Sequence, residues 1–286
     1  MKNQHNNQLL QLTIGTVLIS TSGALGKFIS MPTEVIIWWR CALGAIFLFL
    51  FCKYKKFNLK IHSKKDFSTI LFSSVLLGLH WITYFYALKL SNVALGMLSI
   101  FTFPVITAFI EPLFTKTKLN SMHIVLALMV LLGIYILAPE FNFQSNQVKG
   151  ILFGILSAFF FALRNLMLKK SAAIYNGSAL MLYQTFLLTI LLLPFLFIKD
   201  TSNITTQYPY IILLALVTTA IGHSLFVSSF KYFSVSTASI IASAQPIYGI
   251  IIAFFFLNEI PTLNTYIGGT LILATVIIES LRSRKK

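Results

Sequence analysis

The 286-residue sequence predicts an all-α polytopic membrane protein, ten transmembrane helices arranged as two inverted five-helix repeats. Three observations carry this expectation. The chain is 57% hydrophobic and 10% charged, against roughly a quarter charged in a soluble domain, so it lacks the polar groups to cover a water-facing surface. Apolar stretches of about twenty residues, the length of a bilayer-crossing helix, recur from one end to the other. A long segment of the first half is echoed without gaps in the second.

In chain order, the predicted spans are 9–29, 35–52, 67–88, 93–114, 119–138, 147–168, 177–198, 209–230, 235–257 and 264–281. The first follows a polar tail, MKNQHNNQ, and is too long for the apolar core of a signal peptide, so it is expected to be retained. The second, VIIWWRCALGAIFLFLF, carries Trp38, Trp39 and Arg40. The third carries His80, Trp81 and Tyr84; the fourth has Pro104 near its middle and Glu111 near its end. The sixth opens on GILFG, where Gly150 and Gly154 have the spacing of close helix contacts, and ends on Arg164 and Asn165. Tyr183 and Gln184 fall in the seventh span, His223 in the eighth, Gln245 and Pro246 in the ninth. Glu259, in the turn before PTLN, is expected to face the outside and cap the tenth helix.

The net charge of +15 is distributed by side. With a cytoplasmic amino terminus, seventeen of the 22 Lys and Arg fall on cytoplasmic segments, Arg164 among them; Lys27, Lys89, Lys149 and Lys199 fall outside and Arg40 within a span. This is the positive-inside bias. It places both termini in the cytoplasm, requires an even number of spans, suits a bacterial inner membrane, and explains the basic excess with no nucleic-acid partner. Cys41 and Cys52 lie eleven residues apart on one helix, about 16 Å of rise, too far to pair. No metal-ligand spacing is present and no cofactor is implied.

The repeat aligns YFYALKLSNVALGMLSIFTFPVITAFIEPLF with FVSSFKYFSVSTASIIASAQPIYGIIIAFFF, and Arg40 with Gln184. Lys89 precedes Pro104, and Lys231 precedes Pro246, by the same interval. Residues 1–143 and 144–286 then hold five spans each, and an odd number inverts the second copy. Secondary transporters use this architecture, with substrate at the midplane between repeats. These features, together with FFFLNEIPTLNTYIGGTLIL, resemble the EamA-type drug/metabolite transporters over essentially the whole chain. The resemblance implies a carrier of amino acids, metabolites or drugs, often an exporter, working without ATP. The first half departs from the family where a glutamate matching Glu259 would stand: it has Thr117, and Glu111 earlier.

Two readings are open for Arg40. It either snorkels to the outer headgroups or turns into an aqueous cavity to fork onto an acid group. Trp39, His80, Trp81, Tyr84, Tyr183, Gln184, His223 and Gln245 are the other candidate substrate contacts. Pro104 and Pro246 each remove a backbone donor and are candidate paired kinks. His80, His223 and Glu111 are candidates for proton coupling, with an ion pair to Lys116 or Lys118 the alternative for Glu111. An intramembrane enzyme would need a nucleophile with its base or a metal set, and neither is present. The sequence therefore predicts a secondary active carrier of small amphipathic metabolites such as amino acids, by alternating access. A carrier of cationic drugs and a non-transporting scaffold are the competing readings. Expected partners are a small-molecule substrate, a proton, membrane lipid and, through spans five and ten, a second copy of the chain.

Overall fold

In a bilayer no water completes the backbone's hydrogen bonds, so the chain must satisfy them within helices. A computed structural model describes residues 2–115, 121–137, 142 and 144–283. Among them it contains helices and connecting turns and no strand. The helices are α1 (Lys2–Phe28), α2 (Thr33–Tyr54), α3 (Lys64–Leu90), α4 (Val93–Ile100), α5 (Phe103–Thr115), α6 (Ser121–Leu137), α7 (Asn146–Ile174), α8 (Gly177–Leu192), α9 (Phe195–Ile198) and α10 (Ile204–Leu213). A π-helix, Leu214–His223, follows, then α11 (Ser224–Ser229), α12 (Val235–Ala242), α13 (Gln245–Leu257) and α14 (Leu263–Ser283). Among the described residues, seven helical stretches have the length and apolarity to cross a membrane. Ile124–Leu137 and Gln245–Leu257 are equally apolar but shorter.

Helix starts coincide with short polar side chains that satisfy free N–H groups. Ser63 accepts from Asp66 N, Asn92 from Leu95 N, Ser145 from Gln147 N and Asn176 from Ser178 N. The start of α14 is served by Thr262, whose hydroxyl accepts from Thr265 N. Glu259 was expected there. It instead accepts from Val93 N at 2.8 Å, placing a carboxylate at the positive end of α4, where the helix dipole favours it.

Pro104 and Pro246 do not bend continuous helices. Each stands in the first turn of a new one, α5 or α13, after a two-residue break at Phe101–Thr102 or Ser243–Ala244. The missing N–H costs nothing in a first turn, and the fixed φ favours starting there.

The helices pack in pairs. α3 lies along α7, and α1 along the π-helix and α11; α2 faces α8; α1 also meets α13, as α7 meets α4 and α5. α6 and α14 pack on each other at the side of the bundle, with a separate apolar core that includes Leu126, Val130, Ile134 and Ile272. Close approach is made by small residues. A Cβ on Gly150 would meet Ser91 at 2.8 Å, and one on Gly154 would fall inside the Ser99 hydroxyl.

Filling that contact forces α7 off α4. Gly154→Ala is expected to cost about 1–3 kcal/mol, as overpacking does, read as a lowered thermal midpoint in detergent. Adding Ser99→Gly should recover part of the loss.

Candidate functional site

The interior of the bundle closes on a cavity of about 30 Å³, close to one water's share of liquid volume. It admits a water and excludes a metabolite, so this is a closed arrangement. α3 contributes His80, Trp81 and Tyr84; α1 contributes Ser22; the π-helix ends on it with His223; the two helix breaks deliver Phe101 and Gln245. Five of the predicted contact residues thus converge from three parts of the chain. A larger groove, about 430 Å³, lies between α13 and α14 but is walled mostly by Ile, Leu and Phe, with Thr265, Tyr266 and Thr270 and no charged side chain in its lining.

Arg40 stands behind the Trp81 wall and is 1% exposed, so it points into the bundle. Its Cζ lies 3.9 Å from the Trp81 ring centroid. Nε donates to Thr219 Oγ1 at 2.6 Å and an Nη to Thr218 Oγ1 at 3.2 Å. The π-helix makes this possible: i→i+5 bonding puts more residues in each turn, so consecutive threonines diverge less around the axis and both reach one guanidinium. The other Nη is buried without a partner.

Arg164 is the residue that sequence reasoning misplaced. It was counted among the cytoplasmic charges, and it is fully buried. It donates to Gln184 Oε1, to Asn165 Oδ1 at 3.0 Å and to Met181 Sδ at 3.1 Å, and its Nε has no partner. Gln184 in turn donates to Ser73 Oγ at 2.8 Å. The one available signal was spacing: Arg164 lies five residues before Lys169, about 8 Å deeper along the helix.

Neither arginine has a carboxylate partner among the described residues. Glu34 accepts from Tyr86 and lies 3.9 Å from Lys199; Asp66 accepts from Tyr175; Glu259 is on Val93. Removing a cation from water costs several kcal/mol. Charge-assisted hydrogen bonds of about 1.5–3 kcal/mol and, for Arg40, a desolvated cation–π contact of about 2 kcal/mol offset much of it. These partners are neutral, so the positive charge remains.

The histidines complete a basic centre. His80 Nδ1 faces both the Ser157 carbonyl, at 3.2 Å, and the Ser157 hydroxyl, at 2.9 Å, while that hydroxyl donates to the His80 carbonyl at 2.8 Å. A carbonyl only accepts, so the proton belongs on Nδ1. His80 stacks on Phe161 with centroids 4.3 Å apart. His223 makes a T-shaped contact with Trp81, centroids 5.3 Å apart, and the same indole carries Arg40.

The remaining predicted contacts are elsewhere. The Tyr183 hydroxyl donates to the Leu59 carbonyl in the turn between α2 and α3, away from the cavity. Trp39 is half-buried edge-to-face with Trp38, which donates to the Thr189 carbonyl. Gln184 is held in the Arg164 cluster. Glu111 is half-buried near the end of α5, where its charge acts on Lys169; Lys116, Thr117 and Lys118 lie outside the described residues.

A bundle of apolar helices closed around buried cations and a minute cavity lined by aromatic and a few polar side chains defines an integral membrane protein of the transporter class. The chain belongs to the EamA-like transporter family, whose profile matches it twice, at residues 8–138 and 148–281. It is 25% identical over 268 residues, 93% of this chain and 94% of the other, to a protein of Archaeoglobus fulgidus named only as an uncharacterized transporter. It is 24% identical to the pseudopaline exporter CntI of Pseudomonas aeruginosa, with 97% and 96% coverage. The inner membrane transporter YicL of Salmonella typhimurium, named as uncharacterized, is likewise 24% identical, with the same coverage. A solved structure at 16% identity superposes with a TM-score of 0.74 over 98% of both chains, which speaks for the fold alone.

Thr219→Val removes the acceptor nearest Arg40 and strands a buried, charged donor. It is expected to cost about 2–3 kcal/mol in a detergent melting experiment, and Thr206→Val, on the exposed start of α10, close to nothing.

Proposed function

We propose that the protein is a secondary active carrier of small, acid-bearing amphipathic metabolites, amino acids or related solutes, and that it works in the export direction. The observation that carries this reading is Arg40: a guanidinium turned inward, held by neutral partners and keeping one Nη unpaired. A carboxylate entering the cavity would meet a donor already desolvated and oriented, the arrangement in which charge-assisted recognition gains most. Trp81 and Tyr84 supply the surface for the apolar part of the solute. His80, His223 and Glu111 are the candidates for a coupled proton. The relative named as a pseudopaline exporter favours outward movement of a metabolite.

Ten crossings in two inverted halves are part of this proposal, with 1–143 and 144–286 as the repeats and both termini in the cytoplasm of a bacterial inner membrane. Several contacts support it by recurring in exchanged form. Lys27 Nζ donates to the Ser91 carbonyl at 2.6 Å, and Lys169 Nζ to the Phe233 carbonyl at 2.7 Å. Lys27 to Lys169, and Ser91 to Phe233, is the same interval along the chain that separates the aligned segments. Each lysine also feels a carboxylate from the opposite half, Glu259 on Lys27 and Glu111 on Lys169. The helix pairings exchange likewise: α3 with α7 against the π-helix with α1, and α2 with α8 against itself. On this reading the two lysines latch opposite faces of one cavity, and alternating access releases one while the other holds. α6 and α14, paired at the side, are placed for contact with lipid or a second copy.

Saturable counterflow in proteoliposomes tests the substrate class. Flux should be confined to acid-bearing solutes and fall at least about a hundredfold in Arg40→Gln, as loss of a buried ionic contact predicts; equal flux of cationic drugs in both proteins would remove Arg40 from the site. The latches are tested by Ser22→Cys in a background lacking Cys41 and Cys52. Lys27→Ala should speed its modification by an impermeant maleimide in intact cells, and Lys169→Ala should slow it or leave it unchanged.

A further inference from the structure

The carrier reading uses Arg40 and leaves Arg164 unexplained. Arg164 is wholly buried, yet its surroundings do not neutralise it: an amide oxygen from Gln184, another from its neighbour Asn165, and the Met181 sulfur. Two donors in this cluster are buried without any partner, Arg164 Nε and Asn165 Nδ2. Positive-inside placement accounts for a lysine or arginine at the interface but not for one removed from it. A buried arginine with a purely structural task is ordinarily paired, and this one has no carboxylate among the described residues.

Its position relates it to Arg40. Arg40 lies seven residues into α2 from Thr33, and Arg164 five residues before Lys169 on α7, so on the proposed topology they enter the bundle from opposite faces. Arg40 lies over the Trp81 ring and Arg164 stands three residues after Phe161 on α7, and Trp81 and Phe161 both line the cavity. In the repeat alignment Arg40 corresponds to Gln184, and it is Gln184 that receives the Arg164 guanidinium. Each half therefore presents one guanidinium at matched places, although the two grow from unmatched backbone positions. The centre holds two guanidinium groups, two imidazoles and no described carboxylate.

We propose that Arg164, with Asn165, is a second anion subsite, so that the solute carried bears two acid groups, one engaged by each arginine. This rests on the carrier reading above and deepens it. The cost of two unneutralised cations is then met by the cargo itself: a solute with two carboxylates matches the centre, and one with a single carboxylate leaves one guanidinium uncompensated. Gln184 and Ser73 act as the neutral rest that holds Arg164 oriented while the site is empty.

The test is competitive counterflow in proteoliposomes with solute pairs that differ by one carboxylate: glutamate with glutamine, aspartate with asparagine, succinate with succinamate. The wild type should favour the diacid of a pair by roughly tenfold or more, the value of one charge-assisted contact. In Arg164→Gln that ratio should collapse toward unity, and in Arg164→Lys, which keeps the charge and loses the fork, it should fall part of the way. A wild-type ratio near unity overturns the second subsite while leaving the carrier intact, and this arm holds even where Arg164→Gln does not fold. An unchanged ratio in a folded Arg164→Gln protein, checked by size-exclusion and melting, overturns it equally. Saturable flux of none of the acid-bearing solutes removes the carrier reading and the second subsite together.

Discussion

Two guanidinium groups buried in an apolar bundle without a described carboxylate form the constraint on which the rest of this structure turns. Charges removed from water must be compensated, and here the compensation is neutral: threonine hydroxyls and an indole face for Arg40, amide oxygens and a thioether for Arg164. Several otherwise unusual features serve these two groups. The π-helix presents Thr218 and Thr219 together; Trp81 stacks under Arg40 and packs T-shaped with His223; Gln184 bridges Arg164 to Ser73. An internal acid would have made both sites cheaper and would also have filled them.

The closed cavity follows from how the backbone is broken. Continuous helices would carry side chains past one another in register, whereas the breaks at Phe101–Thr102 and Ser243–Ala244 turn Phe101 and Gln245 into the centre. The helices that begin there, α5 and α13, point their positive ends inward, adding to the basic character set by Arg40, Arg164 and the histidines. Interrupted helices at matched positions of two halves are the arrangement in which small rotations of one half against the other open a central site. On the proposed alternating-access reading, Lys27 and Lys169, each bound to the helix-end carbonyls of its own half, would stand at the two ends of such a movement.

Helix positions were legible in the sequence because lipid imposes a one-dimensional rule: about twenty apolar residues, bounded by polar caps, make a helix whatever it packs against. Within the described residues the predicted stretches are mostly helical, with breaks at 101–102, 193–194 and 243–244, and seven helical stretches have the length and apolarity of a span. Family membership was legible for a related reason, since the repeat and the LNEIPTLN turn are strings of residues that need no third dimension. On α3, Tyr84 is i+4 to His80 and i+3 to Trp81, so it is a same-face neighbour of each, and all three line the cavity.

What remained hidden depended on contacts between distant segments. Nothing local separates Arg164 from the lysines that follow it; its burial is decided by α8 bringing Gln184 across. Tyr183 sits beside Gln184 in sequence but turns to the Leu59 carbonyl, since adjacent helical residues diverge by about 100°. Glu259 caps α4 rather than the helix it precedes, a choice set by which helix end lies nearest after packing. The sequence by itself determined where the chain is helical, which ends are polar and to which family it belongs, because solvation and periodicity act locally. Only the tertiary structure decided which charges are buried and what they face, because that depends on which helices meet in space, whether successive ones, as for Arg164 and Gln184, or ones more than a hundred residues apart, as for Arg40 and Thr219.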